Sequence, residues 1–161
     1  MEGKNQNVLS VEDLSIRIKL DEGTLTPVRG VSFQIRQGET MGLVGESGCG
    51  KSLTSKAILG INTPNCKTTG KILFTEDGKT QDLLKLKFGG AEIRKIRGKD
   101  ISMIFQEPMT SFSPLFTVGS QIAESVRIHT GKKKKEAREI VVETMKKVGI
   151  SNPEKRFDQY P

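Results

Sequence analysis

Residues 45–52 read Gly-Glu-Ser-Gly-Cys-Gly-Lys-Ser, which fits the spacing G-x-x-x-x-G-K-[ST]. Glycines at 45, 48 and 50 let the backbone turn tightly and point its N–H groups inward, with no Cβ atoms to screen them. A helix opening near Gly50 would turn its unsatisfied N–H groups and positive dipole end toward the same anion. Lys51 supplies a cation for β- and γ-phosphates, and Ser52 a hydroxyl for Mg²⁺. Nucleotide contacts are therefore expected from Gly45, Glu46, Ser47, Gly48, Cys49, Gly50, Lys51, Ser52 and Leu53. From average residue usage, the four fixed positions coincide by chance in a chain of this length on the order of once in a hundred. The flanks sharpen the signal. "TMGLVG" (40–45) reads as a short apolar strand running into the loop, and 53–61 as a helix leaving it.

Ahead of the loop the pattern is β. Leu9, Val11, Leu14, Ile16, Ile18 and Leu20 nearly alternate, with a slip at Glu12-Asp13 that predicts a bulge. "DEGT" (21–24) and "RQGE" (36–39) are turn signals around an alternating Val31, Phe33, Ile35. "KILFTEDGKT" (71–80) predicts a hairpin turning at Asp77-Gly78. A short helix is expected over 91–99 with Gly98 just past its end, then a strand over 100–105 and a Pro/Ser/Thr-rich loop over 106–114. Beyond Phe116 two helical stripes follow, Val118/Ile122/Val126 and Ala137/Ile140/Val141/Met145/Val148, both expected to pack in a core. The tail "SNPEKRFDQYP" reads as a loop, and the lysine run 132–135 as a solvated start to a helix.

Composition narrows the class of protein. With 34% hydrophobic and 28% charged residues the chain has the material for a core. Its polar start carries no apolar signal segment, and no run approaches the ~18 apolar residues of a spanning helix. Cys49 and Cys66 show no bridge pattern, which fits a reducing compartment. The net charge of +7 raises nucleic acid as a partner, but one tyrosine, no tryptophan and no recognition motif argue against it. Cys49 beside Lys51 at a helix start is expected to be a reactive thiol, whose alkylation blocks nucleotide and which MgATP protects.

The order "LSVEDLSIRI…VRGVSFQIRQGETMGLVGESGCGKSLTSKAILGI" resembles the start of an ABC transporter ATP-binding subunit. "RKIRGKDISMIFQEPMTSFSPLFTVGSQIAE" is similar to the Q-loop segment of the branch that imports oligopeptides, dipeptides and nickel. The likeness runs from about Val8 to Pro161. It implies an α/β P-loop NTPase of ABC type: an antiparallel β-subdomain and an incomplete parallel-sheet core over 1–111, then the start of the helical subdomain over 112–161. It makes Gln106 the Q-loop glutamine, a catalytic residue with Lys51 and a Mg²⁺ contact with Ser52. It places the protein on the cytoplasmic face of the membrane. Its implied partners are a second ATPase subunit, identical or different, two transmembrane permease subunits and, indirectly, an extracytoplasmic solute-binding protein. The cofactors implied are ATP and Mg²⁺. At the adenine-stacking position the family usually has an aromatic ring; this chain has Ile18, which predicts weak base discrimination.

In the family a tail like "RFDQYP" is followed by His-Glu-Leu-Ser-Gly-Gly, a Walker B strand and a switch histidine; the 161 residues contain none of these, and His129 reads as a surface residue. The expected role is thus the N-terminal part of an importer ATPase for di- or oligopeptides or a related solute. By itself such a chain is expected to hold nucleotide without turning it over, and to be marginally stable because the Met41–Val44 strand lacks sheet neighbours. A truncated, non-catalytic nucleotide binder and an inert gene remnant are the alternatives.

Overall fold

The computed structural model describes residues 6–106 and 111–161, so residues 1–5 of the polar start and four residues of the expected 106–114 loop lie outside the described residues. Contacts divide the chain into two compact units, Met1–Arg97 and Gly98–Pro161.

The first unit is built on a four-stranded antiparallel sheet in the order β2-β1-β3-β4. Its strands are β1 (Asn7–Leu20), β2 (Gly23–Arg36), β3 (Cys66–Glu76) and β4 (Lys79–Asp82). The slip in the β1 pattern is a real irregularity. The register shifts between Val11 and Leu14, and Asp13 takes φ 49°. A regular strand would face residues 11, 13 and 15 the same way. The extra residue changes the phase, so Val11, Leu14 and Ile16 are all buried, at 1%, 0% and 0% exposure. The Asp13 N–H, taken out of the ladder, donates to Ser32 Oγ at 2.9 Å. Between β3 and β4, Asp77 and Gly78 both take positive φ (47° and 74°), as a two-residue I′ turn requires.

The same unit holds α1 (Lys51–Ile58), a 3₁₀ turn (Leu83–Lys85) that packs on β3, and α2 (Ala91–Ile96). Helix α1 buries Thr54 and Ala57, and α2 buries Ile93 and Ile96. Arg97, just past α2, closes the C-terminal end of α1. Its Nε donates to the Leu59 carbonyl and its Nη2 to the Gly60 carbonyl, each at 2.7 Å. A cation on these orphan carbonyls also complements the helix dipole.

Two expected strands are not formed. Residues 40–45 and 100–105 join no ladder in the sheet. Apolar residues at 43–44 and 104–105 suit a buried parallel strand, but such a strand exists only through lateral hydrogen bonds. Without them, Val44 and Ile104 stand 94% and 93% exposed.

The second unit holds α3 (Val118–Thr130), α4 (Lys134–Lys147) and α5 (Pro153–Phe157). Thr117 caps α3, its Oγ1 accepting from the Ser120 N–H. The core is Ala123, Ala137, Val141, Met145 and Phe157, with Val118, Ile122 and Val126 packed on it. Val148, expected to continue the α4 stripe, instead lies past the helix end and is exposed. The tail, expected as a loop, forms α5. Pro153 stands at a first-turn position that its fixed φ suits, and Phe157 is buried against Gly119. Above the Phe157 ring lies the Arg138 guanidinium, 4.1 Å from the centroid, which also holds Asp158 through two 2.8 Å bonds. Five residues are too few to show a helical period, so these contacts decide the fold of the tail. The lysine run is solvated as expected, with the Lys133 N–H donating to Glu136 at 3.1 Å.

Candidate nucleotide-binding site

Between the end of β2 and α1 the chain forms an open loop. Gly48 and Gly50 take φ of 81° and 95°, in the left-handed region that favours glycine. Gly50 is also buried where side chains crowd. A Cβ there would lie 2.6 Å from Val28 Cγ2 and 3.0 Å from the Pro27 carbonyl oxygen. The start of α1 is thus seated on β2. Its N-cap residue is Gly50, no side chain caps it, and its first turn carries no acidic residue. The first-turn N–H groups are left for an anion. Inside the helix, Thr54 fixes the first turn, its N–H and its Oγ1 both donating to the Gly50 carbonyl, at 2.9 and 3.0 Å.

Lys51 folds back over the loop. Its Nζ donates to the Gly45 and Glu46 carbonyls, each at 2.7 Å, and approaches Cys49 Sγ at 3.6 Å. Glycine at 45 leaves room for the Cys49 side chain, since a Cβ at 45 would meet Sγ at 2.5 Å. The structure therefore brings Gly45, Glu46 and Cys49 together around the Lys51 ammonium, with Ser47 and Gly48 at the turn, Gly50 packed on β2 and Ser52 exposed on the first turn of α1. Leu53 is half-buried, and its carbonyl accepts from Asn62 Nδ2. Among the described residues no cluster of three or more His, Cys, Asp or Glu side chains surrounds a metal position. A cation at this loop would have the Ser52 hydroxyl as its hard oxygen ligand, which suits Mg²⁺ completed by phosphate oxygens and water.

Ile18 lies on β1, half-buried, opposite Leu25 of β2 and Cys66 of β3. Gln106 belongs to the second unit, at an exposed bend. Pattern reading missed Pro27 and Val28 as supports of the loop. Nothing in a strand's alternation tells which residue will touch a helix start 22 positions later.

The sequence matches the ABC transporter family over residues 28–161. The chain belongs to that family. Among curated ABC relatives it is 48% identical over 158 residues to the dipeptide transport ATP-binding protein DppD of Bacillus subtilis, covering 97% of this chain and 45% of that protein. It is 44% identical over 156 residues to the oligopeptide transport ATP-binding protein OppD of the same organism, covering 96% and 42%. To AmiE of Streptococcus pneumoniae, also an oligopeptide transport ATP-binding protein, it is 41% identical over 160 residues, covering 98% and 44%. The chain spans less than half the length of these relatives. A solved ABC structure, the dimeric ATP-binding cassette MJ0796 bound to ADP and phosphate, superposes with a TM-score of 0.76 over 95% of this chain and 61% of that one. At 21% identity it shows the fold alone. No helix among the described residues is long and apolar enough to cross a membrane.

Proposed function

We propose that this chain carries the phosphate-binding half of an ATP-binding subunit that energises import of di- or oligopeptides. The observation that supports this most directly is the loop at 45–52. It has a lysine ammonium held over two loop carbonyls and a helix start with no side-chain cap. An incoming triphosphate would exchange the two ion–dipole contacts of Lys51 with carbonyls for ion pairs with phosphate oxygens, in which both donor and acceptor are charged. The N–H groups of residues 48–53 would hold the β-phosphate, with the dipole of α1 behind them. Bound Mg²⁺ would draw charge from the phosphate oxygens, with Ser52 as its protein ligand. Gln106 is proposed as the residue that reaches Mg²⁺ and the attacking water. The work of these groups is positioning and charge stabilisation, the larger part of phosphoryl-transfer catalysis.

The relatives' names, dipeptide and oligopeptide transport ATP-binding proteins, support the peptide substrate class. With it we propose a place at the cytoplasmic face of the membrane beside a second ATPase subunit, two permease subunits and a solute-binding protein. The test is Lys51→Ala in the intact gene, read as uptake of a labelled dipeptide and as MgATP affinity of the purified protein. Loss of both is expected. Wild-type nucleotide affinity in the variant would overturn the phosphate-binding reading, and unchanged dipeptide uptake the transport reading.

A further inference from the structure

The helical unit contains a cavity of about 450 Å³ between α3, α4 and α5. That volume falls in the range of ligand sites. Its floor is apolar and recessed, since Ala123 and Phe157 line it and are each only 7% exposed. Its rim is cationic. Arg127 stands on α3, and Lys134, Lys135 and Arg138 on α4, with Glu124 the one carboxylate among the described lining residues.

The charges around it are unmatched. Elsewhere in the unit cations meet carboxylates, Lys146 with Glu154 at 2.6 Å and Lys147 with Glu143 at 2.8 Å. Arg138 is also held, by two bonds to Asp158. Among the described residues, the side chains of Arg127, Lys134 and Lys135 make no hydrogen bond or ion pair. Three unmatched cations thus share the rim with one carboxylate. Two of them also disfavour the helix they stand on. Lys134 and Lys135 open α4, at the positive end of its dipole, and Lys134 precedes Arg138 at the i,i+4 spacing where like charges repel. Local rules broken with nothing inside the fold to offset them mark a functional surface.

We propose that this cavity docks a segment of a partner protein in which acidic residues flank one bulky apolar side chain. The apolar side chain would fill the floor over Ala123 and Phe157. Carboxylates on either side of it would meet Arg127 from α3 and Lys134 and Lys135 from α4. Cations on two helices suit separated negative charges, which a peptide carries and a single small anion does not. The recess decides against a lipid surface. A bilayer takes up apolar side chains that protrude, and here the apolar groups lie below the cations. The phosphate loop belongs to the other unit, so the two sites can be tested separately.

The experiment is calorimetric titration of the intact protein with the capped peptide acetyl-Glu-Glu-Phe-Glu-Glu-amide. Two control peptides replace its Phe by Gly, or every Glu by Gln. The proteins are wild type, the double variant Lys134→Ala/Lys135→Ala, Arg127→Gln and Lys51→Ala. Lys134, Lys135 and Arg127 are exposed, and losing cations from the first turn of α4 should keep or raise the melting temperature. Wild type should bind the parent peptide saturably and both controls more weakly. The double variant should weaken the parent about 2- to 30-fold, the worth of two exposed ion pairs. It should leave the Gln peptide unchanged. Arg127→Gln, on the other helix, should give a smaller loss of the same kind, and Lys51→Ala should bind the peptide as wild type does. No saturable binding to wild type, a Gly peptide that binds as tightly as the parent, or unchanged affinity in both rim variants would overturn the site. Phosphatidylglycerol vesicles are the remaining arm. Sedimentation of wild type with them, lost in the double variant and not relieved by the parent peptide, would assign the rim to lipid and overturn the proposal.

Discussion

Gly50→Ala is the substitution that joins the fold to the site. Two costs add. At φ 95° an alanine occupies the left-handed side of the map, which costs an L-residue roughly 1–2 kcal/mol. Its Cβ would also lie 2.6 Å from Val28 Cγ2, an overlap that forces the helix start away from β2. Overpacking of that kind costs typically about 1–3 kcal/mol. Together the variant should lose about 2–5 kcal/mol, a large share of a domain's margin. Because the displaced atoms are the first turn of α1, MgATP affinity should fall with stability. Val28→Ala separates the terms. It removes Cγ2 but neither the backbone strain nor the Pro27 carbonyl, 3.0 Å from the added Cβ. In that background Gly50→Ala should cost less than in wild type, by an amount in the overpacking range, and a strain cost should remain. Guanidinium unfolding of the four proteins gives the coupling energy directly. Equal losses in both backgrounds, or a Gly50→Ala protein as stable as wild type, would refute the seating of the phosphate loop on β2.

Ile18→Tyr should tighten ATP binding, since a base–aromatic stack is worth roughly 1–3 kcal/mol, or about five- to 150-fold; unchanged affinity by titration, or strong ATP-over-GTP preference in wild type, would count against this. Alkylation of Cys49, exposed and 3.6 Å from Lys51 Nζ, should block nucleotide, and saturating MgATP should slow its labelling; equal labelling rates by mass spectrometry would contradict the loop geometry. Gly119→Ala should destabilise the helical unit by about 1–3 kcal/mol in spite of alanine's better helix propensity, because its Cβ would lie 2.1 Å from Phe157 Cγ; in a Phe157→Ala background the penalty should vanish from the melting curve. Asp158, hydrogen-bonded by Arg138, and Glu154, hydrogen-bonded by Lys146, both have pKa values lowered in the folded protein. Their stabilisation is therefore present above the ordinary carboxylate range and is lost as pH falls through the lowered folded values. The effect is small, because both pairs are open to solvent and screened. Asp158→Asn should flatten part of the acid limb of a stability-versus-pH curve, and an unchanged limb would remove the Arg138 pair from the account.

The phosphate loop was legible in the sequence because its chemistry is local. Glycine, lysine and serine at fixed offsets within one turn carry the backbone freedom, the charge and the hydroxyl themselves. The Asp77-Gly78 hairpin and the β1 bulge were legible for the same reason, since positive φ and a broken period of two are written in consecutive residues. The segments at 40–45 and 100–105 were misread as strands, because apolar composition says only that a strand would be buried if neighbours paired with it. The tail was misread as a loop, because α5 is held by Phe157 against Gly119, 38 positions earlier in the chain. Sequence alone determined that the chain carries a glycine-rich loop with a lysine and a serine at fixed offsets, the residues proposed to cradle phosphate. Tertiary structure alone decided that α1 rests on Val28 and that Arg97 closes its far end. It also decided that, among the described residues, Asn62 buries a side-chain oxygen with no partner. Those facts depend on distances between residues far apart in the chain, and packing sets them where periodicity is silent.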